Sequence, residues 1–300
     1  MSNCIAYFVV DWGTSNFRLF GLNAACELID SIEAPIGLLQ VKDKQFAQAL
    51  EPQLAKMTPR YAAIPVVMAG MVGSANGWHQ VPYVSAPASA TALLQGAFRF
   101  SLPWGANGVI LPGVSCETKP GSYDVMRGEE IQVMGALAHI ENREQHIVLP
   151  GTHSKHVVMM GNVITSFSTF FTGELFALLS KGSSLIPDGV TTGEFSEDAF
   201  LKGVERAQNG MLLNDLFSVR PLLLFRTLTA AETADYLSGV IIGAELRCVS
   251  GSAITLVGGD MLCQRYLLAA RHISIDASHL SGNRCFIDGI SSILKELSFD

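Results

Sequence analysis

An apolar, β-branched run, Tyr7-Phe-Val-Val, ends on Asp11, passes through Trp12-Gly-Thr-Ser-Asn16 and resumes as Phe17-Arg-Leu-Phe20. Two strand-forming runs around a glycine-containing turn predict a β-hairpin. Its tip carries one carboxylate, two hydroxyls and open N–H groups, a composition that can cradle a phosphate. A merely polar turn is the plain alternative. Beyond it, residues 26–36 predict a third strand, 45–57 an amphipathic helix stopped by Pro59, and 65–69 a short buried strand. That strand runs into Gly70-Met-Val-Gly-Ser74-Ala-Asn-Gly-Trp78, a loop where a ligand could approach the backbone. Residues 89–100 predict a helix and 108–112 a buried strand. A Gly/Pro/Ser-rich loop then leads to Asp124-Val-Met-Arg127-Gly-Glu129-Glu130, ahead of a helix over 131–140.

The pattern then restarts. Residues 145–162 again read strand, Gly-Thr turn, strand, with Pro150-Gly151-Thr152 falling over Trp12-Gly13-Thr14, and 163–170 supply a third strand. A repeat of half the chain implies two related domains rather than a solenoid of short units. We therefore expect domains at 1–142 and 143–300 joined by a tight junction. The second half is mostly helical: 172–181, capped by Thr172, then 196–209, 212–217 and 230–249, the last apolar nearly all round. Residues 253–257 predict a central strand ending in Gly258-Gly259-Asp260, followed by helices over 261–271 and 287–297.

Composition narrows the class. The 300 residues are 49% hydrophobic and only 16% charged, which suggests large cores and leaves room for a homodimer. A formal net charge of −7 argues against a nucleic-acid binder. Six scattered cysteines without a Cys-x-x-Cys pair predict reduced thiols and a cytoplasmic protein, and no apolar run is long enough for a membrane span. The absence of a Gly-Lys dipeptide excludes a Walker-type loop. No Gly-x-Ser-x-Gly or His-Glu-x-x-His occurs, and His153 with His156 lacks the further ligands a metal site needs. Two Gly-Thr hairpins, a late Gly-Gly turn and an acidic loop remain, the parts that nucleotide-dependent phosphoryl transfer requires.

These residues resemble the actin/Hsp70/sugar-kinase superfamily and, more closely, the 2-dehydro-3-deoxygalactonokinase family. The resemblance rests on Asp11-Trp-Gly-Thr-Ser-Asn-Phe-Arg18, Gly70-Met-Val-Gly-Ser74 with Gly77-Trp78, Pro82-Tyr-Val84, Asp124 to Glu130, Leu149-Pro-Gly-Thr-His-Ser-Lys155, Thr172 to Leu179, Leu216 to Arg220, and Ala234 to Gly243, in that order. Two positions depart from it: Ala75-Asn76 stands where Arg-Gln is usual, and His156 where Trp is common.

The resemblance implies an α/β fold of two duplicated actin-like (ribonuclease H-like) domains, with mixed sheets flanked by helices and an interdomain cleft. It implies ATP and Mg²⁺, and a small sugar-acid substrate, 2-dehydro-3-deoxy-D-galactonate, phosphorylated at its terminal hydroxyl. On this reading Asp11 orients metal-bound water while Gly13, Thr14 and Ser15 donate to the transferred phosphoryl group. Gly151, Thr152, Ser154 and Lys155 hold the nucleotide phosphates, and Gly258 and Gly259 flank adenine and ribose. Gly70, Met71, Ser74 and Trp78 line the substrate loop, and Arg127 pairs with the substrate carboxylate. Glu129, with Asp124 next, is the expected catalytic base. The first domain would carry the substrate side and the second the nucleotide side, the last helix packing back on the first. A kinase for a related sugar, an actin- or Hsp70-like hinge protein, and an inactive regulatory relative stay open.

Overall fold

A computed structural model describes residues 4–141, 144–186, 194–249, 251 and 253–296. The chain divides into two compact units. One is Met1–Glu144 with Val158–Phe167 and Gly282–Asp300; the other is Gln145–Val157 with Ser168–Ser281.

The first unit begins with β1 (Tyr7–Trp12), β2 (Phe17–Leu22) and β3 (Leu28–Ala34). Then come α1 (Phe46–Met57), β4 (Val66–Gly70), β5 (Val84–Ser85), α2 (Ala90–Gln95), β6 (Phe98–Ser101) and β7 (Asn107–Ile110). β8 (Val114–Lys119), β9 (Ser122–Met126) and α3 (Glu129–Ala136) follow. The main sheet has the order β3-β2-β1-β4-β7-β6. β1 pairs antiparallel with β2 and parallel with β4, so the hairpin sits beside a parallel strand that ends level with it at Trp12 and Gly70. Alternate residues of β1, Phe8, Val10 and Trp12, pack with Phe46, Leu50 and Leu54 of α1, as a period-two strand against a helix stripe requires.

The second unit is built on β10 (Glu144–Leu149), β11 (Ser154–Met160) and β12 (Val163–Phe170). α4 (Thr172–Gly182), α5 (Glu197–Ala207), α6 (Leu212–Phe217), α7 (Val219–Leu224) and α8 (Thr233–Leu246) follow. β13 (Ala253–Gly258), α9 (Asp260–His272) and β14 (Asp276–Ser281) lead to α10 (Gly282–Leu294), which groups with the first unit. The sheet order is β12-β11-β10-β13-β14, with β10, β13 and β14 parallel. In both sheets the first hairpin is followed outward by its third strand, and two parallel strands are added on the other side. The chain is an α/β protein with two mixed sheets of related strand order.

Each unit also contains a helix pair in backbone contact through glycine. A Cβ on Gly239 of α8 would lie 2.0 Å from the Phe200 carbonyl oxygen of α5, and one on Gly289 of α10 would lie 2.0 Å from that of Ile131 in α3. Several expected elements differ. The helix expected over 89–100 stops at Gly96, because Phe98-Arg-Phe-Ser alternates as strand β6. The expected loop before Asp124 is the β8–β9 hairpin, turned at Gly121 with φ +76° and forming a three-stranded sheet with β5. β14 and α7 had no predicted counterpart, and α10 starts five residues before the expected helix at 287, whose end at 297 lies outside the described residues.

Candidate active site

In the first unit the ends of β1 and β4 bring Asp11 and Gly70 together. Gly70 has φ +90°, and a Cβ there would lie 2.7 Å from the Trp12 carbonyl oxygen and 3.4 Å from Asp11 Oδ1. Gly128 has φ +109°, and its Cβ would meet the Gly70 Cα at 3.3 Å and Asp11 Oδ1 at 4.0 Å. Two residues of left-handed φ thus let the turn before α3 close on Asp11. Arg18, directly across the hairpin from Asp11, donates from Nη1 to Oδ2 at 2.9 Å. Burial pushes the Asp11 carboxyl above its ordinary range; Arg18 draws it back and the neighbouring Glu129 charge raises it further.

The turn is held by its own carboxylates. Glu129 Oε2 accepts from the Arg127 N–H at 3.0 Å, and the two Glu130 oxygens accept from the Gly128 N–H at 2.9 and 2.7 Å. Glu130 has no solvent exposure, and burial pushes it up to about 8, with the Glu129 charge adding to the shift. Arg127 is buried. Its Nη2 donates to the Val81 carbonyl at 2.7 Å and its guanidinium lies 4.3 Å from the Tyr83 ring centroid. Nη1 stands 2.8 Å from where a Cβ on Gly73 would be, so a side chain there would displace the guanidinium. Nε and Nη1 of Arg127, and Ser74 Oγ, are buried without a hydrogen-bond partner. Such groups cost about 1–3 kcal/mol each unless something pairs with them.

The second unit gathers its glycines at the carboxyl ends of β10 and β13. Gly151 and Thr152 form the hairpin tip, and Thr152 accepts from the Glu174 N–H at 3.0 Å. A Cβ on Gly173 would lie 2.5 Å from the Gly151 carbonyl oxygen, and one on Gly258 would lie 3.7 Å from that of Pro150. Gly259 precedes α9 and a Cβ there would meet open space. The tip therefore lies beside the N-termini of α4 and α9, where helix N–H groups favour an anion. Behind it lies a buried polar network. Glu245 of α8 accepts from Tyr266 of α9 at 2.7 Å and from Thr172 of α4, and pairs with His156 of β11 at 2.9 Å. Burial raises the Tyr266 hydroxyl far above its usual range, the Glu245 charge adding to it.

Not every expected residue reaches these clusters. The Gly13 N–H donates to the Asn16 carbonyl at 2.9 Å and closes the turn, so the outward donors there are Thr14 and Ser15, both exposed. Trp78 stacks on Phe46 at 6.0 Å and meets Phe100 edge-on at 5.3 Å; its large apolar ring completes the core. Asp124 lies on β9 opposite Cys116, because the segment is a strand and not the acidic loop. Ser154 is fully buried and donates to the Leu149 carbonyl at 3.3 Å, and Lys155 is buried too, so the exposed tip ends at His153. Thr172 gives its hydroxyl to Glu245 and does not cap α4. Met71 is half-buried in the turn after β4.

Sequence reasoning passed over Arg18, Glu130, Tyr83, Gly173 and Glu245. Arg18 was legible as the cross-strand partner of Asp11, and Glu245 as an acid near the end of an apolar helix. No group of three or more His, Cys, Asp or Glu able to hold a metal occurs among the described residues, and no described helix is long and apolar enough to cross a membrane.

The profile of the family described as 2-keto-3-deoxy-galactonokinase matches residues 11–293. The 2-dehydro-3-deoxygalactonokinase of Escherichia coli K12 is 37% identical over 295 residues, covering 96% of this chain and 97% of that protein. A solved structure from Sinorhizobium meliloti, described as a 2-dehydro-3-deoxygalactonokinase, is 30% identical, covers 97% of this chain and 98% of its own, and superposes with a TM-score of 0.89. The chain belongs to the 2-keto-3-deoxy-galactonokinase family.

Proposed function

We propose that this protein transfers the γ-phosphoryl group of ATP to the terminal hydroxyl of 2-dehydro-3-deoxy-D-galactonate, giving the 6-phosphate, in the cytoplasm. The observation that carries the sugar-acid reading is Arg127. Its buried guanidinium has two nitrogens without partners, one of them against Gly73, whose neighbour Ser74 also has an unpartnered hydroxyl; a substrate carboxylate would pair with the guanidinium. Tyr83 and Val81 fix the guanidinium, so its orientation is set before substrate arrives. Glu129, on the same turn and close enough for its charge to raise the Asp11 carboxyl, is the group we assign as the base for the acceptor's proton. In the second unit Gly151, Thr152, Gly258 and Gly259 are the groups we assign to the nucleotide, and in the first Thr14 and Ser15 to the transferred phosphoryl group.

The donor set around Asp11 suits a magnesium ion that keeps most of its waters: one carboxylate oxygen faces the glycine contact while the other is held by Arg18, and a second carboxylate lies nearby. When bound, the ion would neutralise phosphate charge. A related 2-keto-3-deoxy acid is the second reading, favoured by the exposed Ala75-Asn76 in the substrate loop.

A coupled ADP-release assay across 2-keto-3-deoxy sugar acids and neutral hexoses tests this. Turnover should require the acid and Mg²⁺, and Arg127→Ala should lower kcat/KM about 10–150-fold, as expected for a lost charged hydrogen bond. Equal turnover on a neutral hexose, or none on any sugar acid, would sink the proposal.

A further inference from the structure

The outer surface of α6 and α7 does not look like a surface that faces water. On α5 the outward positions are charged: Glu197, Asp198, Lys202 and Glu205. Between Met211 and Phe225, by contrast, the charged residues are Asp215, which is buried against Arg206 at 2.8 Å, and the half-buried Arg220. Asp215, Leu216 and Val219 anchor the segment inward. Outward it presents Leu213 at 85% exposure, Phe225 at 81%, Leu224 at 63%, and Phe217 and Met211 at 60% each. Leu213 and Phe217 are four apart on one helix and so share a face.

We infer that this face is where two copies of the chain join as a homodimer. Together these side chains expose on the order of 600 Å² at ~150–250 Å² for a large side chain. That is at the upper limit for a monomer's largest apolar patch, about 300–600 Å². It also approaches the ~800 Å² each partner contributes to a stable interface. A second copy fits better than the alternatives. A two-fold axis lets one patch meet itself, and the only carboxylate between Met211 and Phe225, Asp215, is buried; the exposed cation, Arg226, flanks the patch after Phe225. A net charge of −7 opposes an anionic membrane, and six-residue helices are short for an interfacial anchor.

Sedimentation of the full chain tests this, with Leu213→Asp/Phe225→Asp as the disrupting variant and Met261→Asp, also on an exposed apolar residue at 89%, as the control. The unaltered chain and the control should sediment as dimers, and the double variant as a monomer with a dissociation constant raised at least about 100-fold. Circular dichroism checks folding; if the double variant is unfolded, Phe225→Ser is read instead, since its ring contributes little to the core. A monomeric unaltered chain at on the order of 50 μM overturns the inference. So does a folded patch variant that stays dimeric, or a monomer that binds vesicles through this face.

Discussion

At the residue scale, Glu130 carries a measurable consequence. Its carboxyl is raised from 4.5 to about 8 in the folded protein, so between those values the folded state binds a proton that the unfolded state has lost. Its contribution is therefore fully present below pH 4.5 and falls as pH rises, by on the order of 5 kcal/mol once pH passes 8. Glu130→Gln keeps an acceptor for the Gly128 N–H and removes the titration. Urea midpoints measured at pH 5 and pH 8.5 should show the variant gaining on the parent as pH rises. A pH-independent difference would refute the burial cost assigned to this carboxyl. Glu129 was legible as the first acid of a helix, but sequence position does not tell which of two adjacent carboxylates turns inward.

At the element scale, one carboxylate ties together β11, α4, α8 and α9, the elements that surround the Gly151-Thr152 tip. Glu245→Gln preserves shape and weakens three contacts at once. We expect KM for ATP to rise about 10-fold with KM for the sugar acid unchanged, the cost of one charged hydrogen bond; steady-state kinetics with each substrate varied will show it, and an equal rise in both would mark general destabilisation. The strand-turn-strand units and the apolar α8 were readable from periodicity alone. The network was not, because its members lie up to 112 positions apart in sequence, as Ser154 and Tyr266 do, and meet only through the fold. Helix α2 was overextended although Phe98 and Phe100, two apart, share a face only in a strand; pairing with β7 fixes Phe98–Ser101 as the edge strand β6.

At the scale of the whole chain, the repeat was visible in the sequence as two Gly-Thr hairpins, and the two sheets share the order of five strands, the first adding β6 at its edge. The thiols also behave as a set. All six cysteines are unpaired, and burial pushes Cys263 to about 12 and Cys285 to about 11, leaving both inert. Melting temperatures with and without reductant should agree within error; a fall of several degrees in reductant would reveal a disulfide worth ~2–5 kcal/mol. Less legible was where the chain returns. α10 packs on α3 so closely that a Cβ on Gly135 would overlap the Cys285 carbonyl, and Phe286 meets Phe20 at 5.9 Å. A growing chain on the ribosome therefore makes β1 to α3 first but cannot close that unit until some 140 further residues are made. At roughly 5–20 residues per second this is a wait of about 7–28 seconds.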